Sequence, residues 1–156
     1  MKIYLATDHA GFELKKSILQ FLKTEGIKTK DLGPQNSDAV DYPDYGIAVA
    51  QAVLQKELER GIIICGTGVG MSIVVNRFPG IRGTLCGDLY TAKLCREHND
   101  SNILILGGRV VGMGLALGID YSLFILSRFR EERALGNAEE AAIRVASATA
   151  SRAVVF

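Results

Sequence analysis

The stretch Gly61-Ile62-Ile63-Ile64-Cys65-Gly66-Thr67-Gly68-Val69-Gly70-Met71-Ser72 changes character halfway along. Its first five residues are almost wholly apolar and rich in β-branched side chains, the pattern of a short strand buried on both faces. Glycines at alternate positions follow, and residues 69–76 then read as helix. A buried strand that passes through glycines into a helix is a βα unit, and its repetition along the chain decides the fold.

Outward from this stretch the same cycle recurs. Residues 2–7 read as a strand and 11–25 as a helix with Phe12, Leu14, Ile18, Leu19 and Leu22 available for packing, ended by Gly26. Residues 27–32 form the next strand and 33–38 a turn-rich loop. Asp41-Tyr42-Pro43 then opens a helix over about 44–57, with proline in the first turn where its missing N–H costs little. Beyond the glycines, 81–86 and 102–106 read as strands, 89–97 as a helix and 110–128 as a long apolar helix. Residues 137–150 are alanine-rich and less amphipathic, so the end of the chain, about 137–156, is expected to be a C-terminal helix that docks on a second subunit.

Strands that are apolar throughout require burial on two sides. The expected fold is therefore a three-layer α/β/α sandwich, a Rossmann-like five-stranded parallel sheet with helices on both faces, in a single domain over residues 1–156. No internal repeat or interdomain linker interrupts it. In such sheets a ligand lies beyond the carboxyl ends of the strands. Asp8, His9, the segment 65–72, Asp88 and 107–109 are the residues this rule brings together.

Composition narrows the function. With 18 Lys and Arg against 17 Asp and Glu, the net charge of +1 supplies no global field for nucleic acid or an acidic membrane, so an anion site has to be local. Three cysteines, at 65, 86 and 95, match neither a disulfide framework nor a zinc spacing and fit a reducing, cytoplasmic setting. The N-terminal apolar run is too short for a signal peptide, and no run approaches the roughly 18 apolar residues of a membrane span.

The glycine segment lets backbone N–H groups approach a ligand while the next helix points its own amides at it, which makes an anion cradle. A plain strand-to-helix turn would use similar residues. The lysine of a P-loop is missing. A dinucleotide fingerprint would place glycine where Met71 stands, although Asp88 sits where a ribose-binding acid would, so a nicotinamide-dependent oxidoreductase stays open as an alternative. Cys65, at the end of its strand, is either a thiolate base or nucleophile favoured by the helix N-terminus, or a small buried hydrophobe. Cys86 and Cys95 read as packing. His9 and His98, the only histidines, are candidates for ligand contact, with a surface or helix-capping role as the plainer reading of His98. Asp8 is a ligand contact or a helix N-cap. Arg109, a cation at a helix start, would be relieved by a bound anion. The mixed run Arg128 to Arg133 reads as a solvated face.

Taken in order, Asp8-His9-Ala10-Gly11, Asp41-Tyr42-Pro43, the segment from Cys65 to Ser72, Gly80-Ile81-Arg82, His98-Asn99-Asp100 and Arg109-Val110-Val111-Gly112 resemble the ribose-5-phosphate isomerase B family, which also contains the galactose-6-phosphate isomerase subunits. The resemblance covers about residues 1–133. It implies a metal-free and cofactor-free isomerase of the pentose phosphate pathway, converting an aldose phosphate to its ketose through a cis-enediolate. It assigns Cys65 as the base between C1 and C2, His98 as the acid that opens the sugar ring, and Thr67 as its assistant. The amides of Gly66, Gly68, Val69 and Gly70 would stabilise the oxyanion, with Ser72 supporting the loop. Asp8, Tyr42 and Asn99 would hold the sugar, and His9, Arg109 and Arg133 the phosphate.

A second family arginine is replaced by Asn137 here, so Arg128, Arg130 or Arg144 would have to take its place. The resemblance also implies a homodimer or homotetramer with active sites at subunit interfaces. Asp8, His9, His98 and Arg109 are expected at one edge of the sheet. An isomerase of allose or galactose 6-phosphate, and a non-catalytic sugar-phosphate or nucleotide-binding module, stand as the other readings.

Overall fold

The apolar runs form a five-stranded parallel sheet in a computed structural model that describes residues 2–55, 59–113, 115, 116 and 119. Strands β1 (Ile3–Thr7), β2 (Thr29–Asp31), β3 (Arg60–Cys65), β4 (Gly83–Leu85) and β5 (Ile103–Gly107) lie in the order β2-β1-β3-β5-β4. They are connected by helices α1 (Phe12–Thr24), α2 (Tyr42–Leu54), α3 (Val69–Val75) and α4 (Leu89–Glu97), with a 3-10 turn at His9–Gly11 before α1.

Period-two alternation along the strands splits the core into two layers. Ile3, Leu5, Ile62, Ile64, Leu104 and Leu106 face Leu14, Ile18 and Leu22 of α1, together with Ala92 and Cys95 of α4 and Val111, Ala116 and Ile119. Tyr4, Ala6, Ile63, Cys65, Ile103 and Ile105 face Val49 and Val53 of α2 and Met71 and Val75 of α3. Each fully buried isoleucine or leucine contributes about 1.5 to 3 kcal/mol, so the three central strands carry most of the fold's stability. The edge strands depart from the apolar pattern expected of all five. Thr29-Lys30-Asp31 and Gly83-Thr84-Leu85 are only partly covered, because an edge strand has a neighbour on one side alone.

Lys15 lies on the apolar stripe of α1 and is 1% exposed. Its ammonium donates to both Asp31 carboxylate oxygens at 2.7 and 2.8 Å and to the Pro34 carbonyl at 2.7 Å, so a buried charge is fully paired. Asp31 also accepts the Gly33 amide at 2.8 Å, and the Gly33 carbonyl accepts the Thr7 amide at 3.1 Å. This chain of contacts pins the loop after β2 to the end of β1.

The long helix expected over 110–128 is described only at its beginning. The C-terminal helix expected over 137–156 and its docking, together with Arg128, Arg130, Arg133, Asn137 and Arg144, lie outside the described residues. Among the described residues no helix is long and apolar enough to cross a membrane.

The strand order reverses between β1 and β3, and the crevice at such a switch point opens at the carboxyl ends of the strands. Thr7 pairs with Ile64 and Cys65 with Gly107, so three strands deliver their last residues to one place.

Candidate active site

Cys65 ends β3, 5% exposed, with its backbone held from β5: its carbonyl accepts the Gly108 amide at 2.8 Å, and the Gly66 carbonyl accepts the Arg109 amide at 3.0 Å. On the β1 side, the Ile64 carbonyl accepts both the Thr7 hydroxyl at 3.0 Å and the Asp8 amide at 3.2 Å. The strand end is thus tied on both flanks before the chain turns into the glycine loop.

Within that loop the Gly68 amide donates to Cys65 Sγ at 3.1 Å, and the Val69 amide donates to Thr67 Oγ1 at 3.3 Å. The first contact gains strength as the sulfur gains negative charge. Gly68 adopts φ +82°, and a Cβ there would lie 3.2 Å from the backbone of Leu106, so glycine is required on both conformational and steric grounds. At Gly70 a Cβ would meet the Tyr42 ring at 2.7 Å, which places that ring close against the start of α3. Met71 is buried beneath the loop, while Ser72 is half-buried and donates its amide to the Gly68 carbonyl at 3.0 Å.

The neighbouring chain segments close around this loop. A Cβ placed on Gly66 would sit 3.7 Å from Ala10 Cβ and 3.8 Å from Arg109 Cδ. The Asp8–Ala10 turn, the glycine loop and Arg109 are therefore one constellation. Asp8 is buried and its carboxylate accepts the Ala10 amide at 2.9 Å, so it does cap the short turn, whereas His9 and Arg109 are exposed to whatever enters the crevice. Among the described residues no group of three or more His, Cys, Asp or Glu is placed to hold a metal ion.

A family model described as Ribose/Galactose Isomerase matches residues 3–141. The chain belongs to that family. It is 49% identical over 115 residues to ribose-5-phosphate isomerase B of Escherichia coli (strain K12), covering 74% of this chain and 77% of that one. Its fold superposes on ribose-5-phosphate isomerase B of Clostridium thermocellum with a TM-score of 0.77 at 51% identity, over 79% of this chain and 83% of the other. With the ribose-5-phosphate isomerase B of Mycoplasma genitalium, whose structure holds ribulose-5-phosphate, the TM-score is 0.76 at 39% identity over 78% and 82% of the two chains. The expected aldose–ketose isomerase class and the α/β sandwich both stand.

The isomerase chain nevertheless departs from one expectation about its site. His98 and Asn99 are not at the same edge of the sheet as Cys65. A helix that follows a parallel strand runs back toward the amino edge, and α4, nine residues long, carries His98 about 13 Å from the α4 start. There the His98 amide donates to the Leu94 carbonyl at 2.9 Å, and the segment after it bonds to Gly80 and Arg82, just ahead of β4. Both His98 and Asn99 are exposed at that far edge.

Asp88, the candidate ribose-binding acid, caps α4. Its carboxylate accepts the Thr91 amide and the Thr91 hydroxyl, each at 2.7 Å, and the Thr91 backbone bond holds its carboxyl below the usual range. Cys86 and Cys95 lie in the opposite core layer from Cys65. Cys86 is pushed well up by its hydrogen bond with Cys95 and by burial, which keeps that thiol protonated. The pairing of Lys15 with Asp31 and the contacts of Arg82 and Arg96 with Asp100 join residues that no sequence motif links. A lysine at helical spacing among Leu14, Ile18 and Leu22 was the available sign of the first.

Proposed function

We propose that this isomerase interconverts ribose 5-phosphate and ribulose 5-phosphate, in a site shared by two copies of the chain. The single observation that carries the reading is the Cys65 sulfur under the glycine loop, with the Gly68 amide at 3.1 Å and the Asp8 turn and Arg109 alongside. The named activities of the relatives supply the substrate class.

In this reading His9, Arg109 and Arg133 hold the phosphate, and Asp8, Tyr42 and Asn99 hold the sugar hydroxyls. His98 of a second copy protonates the ring oxygen as the C1–O bond breaks, while the C1 hydroxyl gives up its proton, assisted by Thr67. Cys65 then takes the C2 proton as thiolate and returns it to C1, and the proton on O2 moves to O1, so no electron or proton is lost overall. The cis-enediolate between these transfers carries negative charge. Amide donors aimed at such a charge are worth about 3 to 4 kcal/mol each in other enzymes. Gly68 and Val69 already donate within the loop, which leaves the Gly66, Thr67 and Gly70 amides as donors for the oxyanion.

What supports the two-copy arrangement is the direction of α4, which carries His98 to the edge of the sheet opposite Cys65 within one chain. The oxyanion reading is also favoured over a nicotinamide site because Asp88 has both carboxylate oxygens engaged on Thr91. A coupled assay tests the function directly: conversion of ribose 5-phosphate by the wild type, lost in Cys65→Ala, is expected. Turnover of allose or galactose 6-phosphate alone would reassign the substrate, and unchanged turnover in Cys65→Ala would remove the base.

A further inference from the structure

Asp100 follows His98 and Asn99 directly, and its backbone stands at φ +47°, a left-handed conformation that a non-glycine residue adopts at a cost. Two arginines hold it there. Arg82 donates to Asp100 Oδ2 at 2.8 Å and, through Nε, to the Asp100 carbonyl at 2.8 Å. Arg96, 3% exposed, lies 3.1 Å from Asp100 Oδ1 and also donates to the Ser101 carbonyl. Each carboxylate oxygen thus answers to a different arginine, one from the segment before β4 and one from α4.

The next contacts extend the hold. Ser101 Oγ donates to the Arg82 carbonyl at 2.6 Å, the Asn102 side chain accepts the Arg82 amide at 2.8 Å, and its amide group donates to the Gly80 carbonyl at 2.9 Å. Much of this hydrogen bonding serves residues 100–102, whereas His98 and Asn99 project from it with exposed side chains. A rigid base under two exposed polar side chains is what a group must have if it is to act on a ligand it does not enclose.

We infer that Arg82, Asp100 and Arg96 form a positioning clamp that sets the direction of His98 and Asn99 for the active site of a second copy. The inference rests on the two-copy reading above. Arg82, Asp100 and Arg96 touch no substrate in it. Their function is to hold the His98–Asn99 turn in one orientation when the two chains meet, so that the ring-opening acid arrives aligned.

The test compares two substrates, ribose 5-phosphate, which is mostly a closed furanose, and the corresponding 4-deoxy aldose 5-phosphate, which has no hydroxyl able to close that ring. His98→Ala defines the signature: loss of kcat on the closed substrate with the open one spared. Asp100→Gly, which keeps the left-handed backbone and removes the carboxylate, is expected to reproduce that split, with kcat on the closed substrate falling about tenfold to a hundredfold. Its kcat on the open substrate should stay near wild type, while weakening of the Asn99 contact raises KM on both substrates alike.

Arg82→Gln, whose own side chain is 46% exposed, gives the same split more weakly and decides the matter if Asp100→Gly does not fold. Equal losses of kcat on both substrates would make the clamp merely structural, and no loss on either would remove it. If His98→Ala itself shows no split, the ring-opening role falls and the clamp falls with it.

Discussion

The Gly68 amide donates to the Cys65 sulfur across 3.1 Å, so the loop that would cradle an anion also holds the candidate base. Gly68→Ala separates the two. A methyl group there would press on the Leu106 backbone at 3.2 Å, and the left-handed φ of +82° costs an L-residue about 1 to 2 kcal/mol more. The loop must shift and the N–H must leave the sulfur. The expected result is a fall in kcat of about a hundredfold, by the misplacement argument, with a lowered melting temperature, measured by coupled assay and thermal unfolding.

Mixing two damaged chains tests the proposed two-copy site. Cys65→Ala and His98→Ala homodimers are each expected to turn over ring-form substrate poorly. A hybrid dimer contains one site in which both residues are intact. Co-refolding equal amounts should therefore return about a quarter of wild-type activity, since half the dimers are hybrids with one working site of two. Activity no higher than the average of the parents would place both residues in one chain's site.

Lys15→Met leaves Asp31 and the Pro34 carbonyl without their cation inside the α1 packing. Breaking a buried pair costs about 3 to 5 kcal/mol when both charges are enclosed, and the Asp31 side chain is 26% exposed, so a loss of about 2 to 4 kcal/mol is expected. Urea unfolding at neutral pH measures it. A midpoint unchanged from wild type would show that the ammonium is dispensable to the loop after β2.

Asp88 gives a pH signature. Its carboxyl is held below the ordinary range by the Thr91 backbone bond and then the Thr91 hydroxyl, so the folded state prefers the ionised form more than the unfolded chain does. That stability is present above the unfolded pKa, near 4, and is lost as pH falls through the lower folded value. Wild type should therefore unfold at a higher temperature than Asp88→Ala at pH 7, with the difference shrinking below about pH 4. A difference that is constant across this range would assign the stabilisation to shape instead of charge.

Much of the molecule was legible in the chain. The run Ile62-Ile63-Ile64 demanded burial on both faces, and α4 spans Leu89–Glu97 as expected because Asp88 caps its start. The Cys65 loop fell where strand, glycines and helix meet. Charge paired across the fold was harder to see: nothing near Lys15 in sequence announces Asp31 or the Pro34 carbonyl, which arrive from the next strand and loop. The place of His98 was available in principle. A helix returning from a parallel strand must deliver its last residue to the opposite edge, and grouping His98 with Cys65 by motif alone passed over that direction.

The length of α4 has a genetic corollary under the two-copy site. In that arrangement the start of this helix would serve its own chain's cradle and His98 at its end the neighbour's, so each chain would take part in two reactions at once. A chain defective at both Cys65 and His98 would then poison a wild-type partner completely, for neither site of the mixed dimer would keep both groups. Such a double variant should behave as a dominant inhibitor on co-expression, although either single defect in a mixed dimer leaves one centre working.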